Sequence, residues 1–320
     1  PTGDPLAIPD NGRIMFQVDT LKYATKATVS RCGMVWFAED ALPVHCILAS
    51  QLDVLRHHRI GGANAEDSSS SASAGASFVS HIAAAFEENG FVSSMLEWSL
   101  TEGDHVMETT RMRLIRCLFS LLKRGIDKVD QFNEDQLDFK MDDAQVARYA
   151  QKVLVFATLW GLGASLNYAG RLALGKRIVE MTTVDLPSRL GQDGLQLIDF
   201  EVVCLDGEWH EWRRPERLPR VEIEAHEVLS TSKVIDTVDT VRNVEVLCAW
   251  LRERRPLILC GPPGSGKTMT LTKTLSEMEG CELVQLNFSS GTTPALILKT
   301  FEQYCEYERK SKGIVMKPVQ

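Results

Sequence analysis

Residues 256–271 of this 320-residue chain read Pro-Leu-Ile-Leu-Cys-Gly-Pro-Pro-Gly-Ser-Gly-Lys-Thr-Met-Thr-Leu. The apolar part of this stretch, Leu257 to Cys260, predicts a buried strand, and Met269 to Leu271 predict the start of a helix. The residues between them, Gly261 to Thr268, match Gly-x-x-x-x-Gly-Lys-Thr, a loop whose backbone N–H groups face phosphate oxygens. The order of strand, glycine-rich loop and helix therefore predicts an α/β domain that binds a nucleotide.

The positions of this loop have distinct predicted roles in holding ATP or ADP together with Mg²⁺. Lys267 is placed to reach the β- and γ-phosphates, and the hydroxyl of Thr268 is placed to hold Mg²⁺. The other predicted nucleotide-binding residues in and just after the loop are Gly261, Pro262, Pro263, Gly264, Ser265, Gly266 and Met269. A glycine turn that binds nothing is the alternative, and the apolar strand and the helix on either side argue against it.

Hydrolysis of ATP requires more than this loop, because an acidic strand end must also hold Mg²⁺ and polarise water. No such strand end follows Thr268 in the sequence. The acidic candidates, Glu302 and Glu306, fall within a helical pattern, which predicts solvated helix charges instead. We therefore expect the chain to bind ATP and to hydrolyse it poorly or not at all on its own.

The composition argues against several classes of partner, although a local basic patch is compatible with it. With 44% hydrophobic residues, the chain can bury the cores of about two domains or half-domains. Its formal net charge of −8 gives no reason to expect nucleic acid or an anionic membrane as a partner. The longest apolar stretch, Val153 to Leu166, is shorter than the roughly 20 residues that span a bilayer. We expect no membrane insertion.

The cysteine and histidine residues show no pattern typical of a metal site. The eight cysteines lack C-x-x-C spacing, which indicates a reduced, intracellular protein. The histidines, with His57 and His58 among them, lack the spacing of metal ligands. We interpret them as solvated helix residues.

The N-terminal half divides by its periodicity. Arg13 to Val18 and Gly33 to Phe37 predict two strands separated by a short helix. From Pro43 to about Leu186 the pattern is helical, and residues 61–77, rich in Ser, Ala and Gly, predict a flexible insertion within it. Apolar residues at helix spacing predict two buried stripes, one of Leu114, Ile115, Leu118, Leu121 and Leu122 and one of Val153, Leu154, Phe156, Ala157 and Trp160.

The C-terminal half returns to β and then α/β patterns. In a small β-rich connector, Asp206-Gly207 predicts a turn, and Trp209 and Trp212 predict a miniature core. Two predicted strands, Leu195 to Phe200 and Glu201 to Leu205, precede this turn. The elements predicted after the connector are a helix from Val241 to Arg252, the strand before the loop, the helix after it, a strand from Leu283 to Phe288, and a helix from Pro294 capped by Thr293.

Neither end of the sequence has the features of an ordinary terminus. The chain starts with Pro1-Thr2-Gly3-Asp4-Pro5, which has no initiator Met and no signal-peptide pattern, and it stops at Gln320 without a closing element. We expect both ends to be cuts through a longer polypeptide.

Two separate stretches resemble dynein heavy chains. Residues 25–36, Thr-Lys-Ala-Thr-Val-Ser-Arg-Cys-Gly-Met-Val-Trp, with Arg13-Ile14-Met15-Phe16 before them, resemble the end of the second AAA+ large subdomain of this family. Residues 259–271, with Leu286 to Pro294 and Tyr304 to Tyr307 after them, resemble the start of the third AAA+ module. The resemblance covers essentially the whole chain. The sequence of the phosphate loop is more similar to the cytoplasmic branch of the family than to the axonemal branch.

The resemblance implies a fold of α/β and all-α parts from an AAA+ P-loop NTPase ring. Residues 1–42 would end the second large α/β subdomain, and residues 43–186 would form its helical lid, with a disordered insertion at about 61–77. Residues 187–225 would be the β-rich connector. Residues 226–320 would start the third large subdomain.

The resemblance also implies further site residues. Arg31 matches the arginine finger that stabilises phosphate charge in a neighbouring module's site, although an Arg before a strand is otherwise a surface or structural residue. Val234, Ile235 and Thr237 match the segment that flanks the adenine, although an ordinary capped loop fits the same residues.

As a function, the resemblance implies part of the motor ring of a cytoplasmic, microtubule-associated motor that moves toward microtubule minus ends. Its third-module site would regulate how ATP hydrolysis is coupled to microtubule affinity. The implied partners are the microtubule, reached through a coiled coil elsewhere in the full chain, intermediate and light chains, dynactin-type adaptors and a second heavy chain. Two alternatives stay open, a midasin-like remodelling ATPase and a non-catalytic scaffold with a vestigial loop.

Overall fold

The computed structural model describes residues 13–38, 41–58, 74–136, 139–218, 235–278, 280–281, 283–310 and 313–319. These residues belong to two compact units, one spanning residues 1–43 and the other residues 44–320. In the part of the chain that the structure describes, no helix has both the length and the apolar character needed to cross a membrane.

The described residues of the first unit contain one short helix, α1 (Lys26–Arg31), whose N-cap Thr25 accepts a hydrogen bond from the Thr28 N–H at 3.2 Å. The strands predicted at Arg13 to Val18 and Gly33 to Phe37 are not formed, and both segments lack regular secondary structure. Their aromatic side chains are accordingly exposed. A strand requires a neighbouring ladder, and the described residues of this unit supply none.

The second unit opens with a helical body, whose described helices lie between residues 44 and 181, within the region from Pro43 to about Leu186 that the periodicity predicts to be helical. Several of its helices begin at polar caps: Asp142 and Gln145 form a reciprocal capping box, and Asn167 accepts from the Gly170 N–H at 2.7 Å. The helices are α2 (Val44–Arg56), α3 (Ala74–Ile82), α4 (Phe91–Thr101), α5 (Arg111–Asp135), α6 (Asp143–Gly163) and α7 (Tyr168–Met181), with a 3-10 turn at Ala83–Phe86.

The core of the helical body lies between α5 and α6. The five residues of the α5 stripe predicted from the sequence are all buried, and of the α6 stripe only Phe156 keeps partial exposure. The backbones of the two helices approach closely at Gly161, where an added Cβ would lie 2.5 Å from the Leu118 Cα. Glycine is therefore required by space at this crossing.

The prediction of a flexible insertion at residues 61–77 is wrong at the C-terminal end of that range. Residues 61–73 lie outside the described residues, but Ala74 to Ser77 form the first turn of α3. Gly75 is buried there, and a Cβ at this position would lie 3.0 Å from the Leu55 carbonyl oxygen at the end of α2. The small residues serve close helix packing instead of flexibility.

In the described part of the connector, β1 (Phe200–Val203) pairs antiparallel with β2 (Glu208–Glu211) to form a hairpin, through a turn with Gly207 at φ 67°. Trp212 is fully buried with its ring 6.4 Å from that of Phe156, and Trp209 donates to the Asp185 carbonyl at 2.8 Å. The miniature core is thus continuous with the helical body. In the strand predicted at Leu195 to Phe200, Leu197–Asp199 instead form a 3-10 turn and Phe200 begins β1, while a second 3-10 turn, Gln192–Gly194, precedes the segment.

Residues 235–319 form the phosphate-loop region of the second unit. It consists of α8 (Val238–Arg252), α9 (Lys267–Ser276), α10 (Pro294–Tyr304), β3 (Cys305–Lys310) and β4 (Gly313–Pro318). Thr293 caps α10 as predicted, accepting from the Leu296 N–H at 3.4 Å. α8 packs against both α5 and α9, and so joins the helical body to the loop.

The strands predicted at Leu257 to Cys260 and Leu283 to Phe288 are not formed. Among the described residues neither segment pairs with another, and Ile258 is 77% exposed. A parallel strand is stabilised by partners distant in sequence, which these segments do not contact here. Glu306 was also predicted wrongly, because it lies on β3 and not on a helix, whereas Glu302 lies on α10.

The hairpin β3–β4 has two unlike faces. The register pairs Tyr307 with Met316 on one face, and pairs Glu306 with Lys317 on the other. Tyr307 is 59% exposed, and its hydroxyl donates to the Glu302 carboxylate at 2.7 Å. One face of the hairpin therefore presents mainly apolar residues, with Arg309 among them, and the other carries Glu306, Glu308 and Lys317.

Candidate nucleotide-binding site

The conformation of the phosphate loop follows from its glycines. Gly264 and Gly266 have φ values of 78° and 77°, which side-chain-bearing residues rarely adopt, and Gly266 is the N-cap of α9. At Gly261 a Cβ would lie 3.0 Å from the Ser265 Oγ and 3.6 Å from the Lys267 Cδ. The loop curls so tightly that the space beside Gly261 is already filled by the loop's own side chains.

The ammonium group of Lys267 lies inside this curl. Its Nζ donates to the carbonyl oxygens of Gly261 at 2.9 Å and Pro262 at 2.7 Å, and contacts the Ser265 Oγ at 3.2 Å. These neutral acceptors hold the cation over the mouth of the loop without an acidic partner. A phosphate group that binds here would therefore meet the positive charge of Lys267, which no carboxylate neutralises.

The backbone donors of the loop are available. Within the described residues, no acceptor bonds the N–H groups of Gly264, Gly266, Lys267, Thr268 and Met269. The first turn of any helix leaves such donors, and they coincide with the positive end of the α9 dipole. The exposed Thr268 hydroxyl likewise has no partner in the described part of the chain, whereas the Thr270 hydroxyl bonds the Gly266 carbonyl at 3.0 Å.

The polar groups of the loop are suited to bind a nucleotide phosphate together with its metal ion. Convergent N–H groups, one lysine and one accessible hydroxyl are the groups that phosphate loops present to phosphate oxygens and Mg²⁺. The arrangement can bind phosphate electrostatically. The predicted site residues 261–269 thus lie together, in the phosphate loop and in the first turn of α9.

The segment predicted to flank the adenine is connected to this loop by an ion pair. Asp236 accepts from the Lys273 Nζ on α9, and both side chains are about four-fifths buried. Thr237 is the N-cap of α8 and accepts from the Thr240 N–H at 3.2 Å, while Ile235 is 56% exposed. Val234 lies outside the described residues.

Sequence reasoning missed Asp236 and Lys273 as a pair. They are 37 residues apart, and each has an ordinary local explanation. Asp236 precedes a helix start, and Lys273 lies on a helix face that the sequence alone leaves open. No periodic signal links them.

A charged junction attaches α8 to the helical body. Glu245 on α8 pairs with Lys128 on α5 at 2.6 Å and lies 3.7 Å from Arg217. Burial would raise the pKa of the Glu245 carboxyl, but the opposing charges of Lys128, Arg124 and Arg217 lower that pKa to about 2. The carboxylate is therefore ionised at neutral pH and holds the two parts together.

Arg31 belongs to the first unit, where it is the last residue of α1 and is exposed. A cation at a helix C-terminus is stabilised by the helix dipole, which accounts for the residue locally. Its role as an arginine finger stays a prediction.

Two family models match the chain. One is described as the dynein heavy chain AAA lid domain and matches residues 82–214. The other is described as the P-loop containing dynein motor region and matches residues 223–319. The first match covers most of the helical body, and the second covers the phosphate loop.

Curated relatives match the whole chain. The sequence is 40% identical to the cytoplasmic dynein heavy chain of Drosophila melanogaster over all of this chain and 7% of the relative. The corresponding values are 39%, all of this chain and 7% for the Neurospora crassa protein, and 39%, all of this chain and 8% for the Dictyostelium discoideum protein. The chain thus spans less than a tenth of the length of these relatives.

Proposed function

We propose, because this chain belongs to the dynein heavy chain family, that its phosphate loop is a nucleotide site of a dynein motor ring. The observation that carries the proposal is the loop itself, in which Lys267 and a set of unpaired N–H groups converge at the start of α9. ATP or ADP is the proposed ligand, and the Thr268 hydroxyl would hold Mg²⁺. The family membership decides against the midasin-like alternative.

We assign the parts of the chain within that ring as the sequence predicts. Residues 1–42 end the second large subdomain, 43–186 form its lid, 187–225 are the connector, and 226–320 begin the third large subdomain. Under this assignment Arg31 serves the neighbouring first module, and Val234, Ile235 and Thr237 flank the adenine. The ion pair between Asp236 and Lys273 supports the last point, because it ties the flanking segment to α9.

The proposed role of the third-module site is regulation. It would adjust the coupling between ATP hydrolysis and microtubule affinity in a minus-end-directed cytoplasmic motor, within a heavy-chain homodimer that also binds intermediate chains, light chains and dynactin-type adaptors. The relatives are named cytoplasmic dynein heavy chains, and we place this chain in the same compartment, on microtubules. Hydrolysis belongs to the full-length protein.

The test is nucleotide occupancy of the intact motor protein. Lys267→Ala removes the cation from the mouth of the loop, so nucleotide released from the denatured protein should fall by about one per heavy chain. Lys299→Ala, at an exposed position on α10, is the matched control and should leave occupancy unchanged. Equal occupancy in Lys267→Ala and wild type would support the vestigial-loop scaffold instead.

A further inference from the structure

A second cavity lies away from the phosphate loop. It has a volume of about 80 Å³ and lies between α2, α5 and the turn Glu253 to Arg255 that follows α8. Leu55 and Phe119 form apolar walls. We call it the basic cleft, and its polar lining includes His58, Arg116, Ser120, Lys123, Glu253 and Arg255.

The charges of the basic cleft do not balance. Glu253 is the carboxylate in its lining, and it is shared by the Arg255 Nε at 2.9 Å and the Lys123 Nζ at 3.8 Å. His58 was predicted to be solvated, but it is 16% exposed and bonds Asp127 at 2.6 Å. For Arg116 no carboxylate of the described residues lies within ion-pair distance. Three permanent cations, Arg116, Lys123 and Arg255, therefore line the cleft together with one carboxylate, that of Glu253.

The backbone of the turn is strained in a way that builds the cleft. Arg254 has φ 54°, a left-handed conformation that is uncommon for a residue with a side chain. This conformation directs the flanking side chains of Glu253 and Arg255 into the same cavity. Strain of this kind persists where the surroundings fix it, and it concentrates at functional sites.

We infer that the basic cleft binds a phosphate group of a small ligand. Guanidinium and ammonium groups with excess positive charge bind phosphate oxygens strongly. A volume of about 80 Å³ holds several waters or one tetrahedral oxyanion. The Ser120 hydroxyl, which donates to the Arg116 carbonyl at 2.9 Å, adds a polar group to the lining.

Such a ligand would act on the route to the phosphate loop. The cleft joins two helices of the helical body to the turn that leads into Leu257 to Cys260, directly before Gly261. A dianion between Arg116, Lys123 and Arg255 would fix this turn against α5. The site would therefore be regulatory and separate from the nucleotide loop.

Hydrogen exchange on the intact protein tests this inference. Because phosphate loops also bind phosphate, the measurements use the Lys267→Ala protein as background. Inorganic phosphate, and in a second arm ADP, is compared with chloride at equal ionic strength. With inorganic phosphate, ADP or both, hydrogen exchange should be slower in peptides from 44–58, 111–127 and 248–258. The ligand that slows exchange in these peptides identifies the source of the phosphate group.

Variants of the cleft separate binding from general charge effects. Arg116→Ala should weaken the apparent affinity by about tenfold, whereas Arg116→Lys should retain part of it. Arg148→Ala, an exposed arginine on α6, should leave the affinity unchanged. The inference is overturned if neither phosphate nor ADP protects these peptides, or if Arg116→Ala and Arg148→Ala behave alike.

Discussion

The helical body and the phosphate-loop region bury their side chains very differently. Helix α5 alone buries ten residues, whereas α9 buries only Thr274 and α10 buries none. In the phosphate-loop region Leu298, Phe301 and Ile314 are all about half exposed or more. Consecutive antiparallel helices bring their apolar stripes together locally, but an α/β sheet needs strands that are distant in sequence. The helical body therefore supplies the packing partners of its own apolar side chains, whereas the described residues of the phosphate-loop region do not.

The strongest test of this comparison is one substitution made in both regions. Leu118→Ala removes a fully buried side chain at the crossing of α5 and α6, and should lower the free energy of unfolding by about 3 to 4 kcal/mol. Leu298→Ala, on exposed α10, should change it by less than about 0.5 kcal/mol. Urea denaturation followed by tryptophan fluorescence measures both. Equal costs would mean that α10 is packed in solution.

The junction between the regions should depend on pH. The pKa of Glu245 is about 2 in the folded state against an ordinary value of 4.5, so its ionised form stabilises the fold. This contribution, on the order of 3 kcal/mol, is complete above about pH 5 and is lost as the pH falls toward 2. Glu245→Gln should therefore lower stability at pH 7 by about 2 to 3 kcal/mol, with a smaller deficit at pH 3.

The matched control for the junction is Glu180→Gln. Glu180 pairs with Arg177 on the exposed surface of α7, with 62% of its side chain accessible. Its loss should cost less than about 0.5 kcal/mol at either pH. A pH dependence that is the same in Glu245→Gln and wild type would refute the assigned role of Glu245.

The smallest expected effects distinguish two uses of glycine. Gly161→Ala should cost about 1 to 2 kcal/mol of stability, because the new Cβ meets the Leu118 backbone.

In Gly266→Ala the new Cβ meets no atom within 4 Å, but the φ of 77° is unfavourable for alanine by about 1 kcal/mol, which should appear as roughly fivefold weaker ATP binding. Gly175→Ala, where the nearest atoms are 3.8 Å away, should be neutral or stabilising in thermal unfolding.

Local patterns made the helices and the loop predictable from sequence. The stripe containing Leu114 and Leu118 predicts the buried face of α5, and Thr293-Pro294 predicts the start of α10. The loop conformation follows from Gly264 and Gly266, whose positive φ angles the motif requires. These features depend only on neighbours within a few residues.

Features that depend on distant residues were not predictable. Leu257 to Cys260 have a strand pattern, but a pattern cannot supply the neighbouring strands that would cover Ile258. His58 was predicted to be solvated because its partner, Asp127, lies 69 residues away on α5. The pair of Asp236 and Lys273 escaped notice for the same reason.

The hairpin β3–β4 has a consequence for the solubility of the protein. Both of its strands have an outer edge without a ladder among the described residues, and such edges promote aggregation when they are flat and apolar. Glu306, Glu308 and Lys317 place charges of both signs along one face, next to the exposed Tyr307 and Ile314 on the other. These charges act as gatekeepers that oppose stacking of one hairpin on another, and so protect a segment that would otherwise seed intermolecular β-sheet.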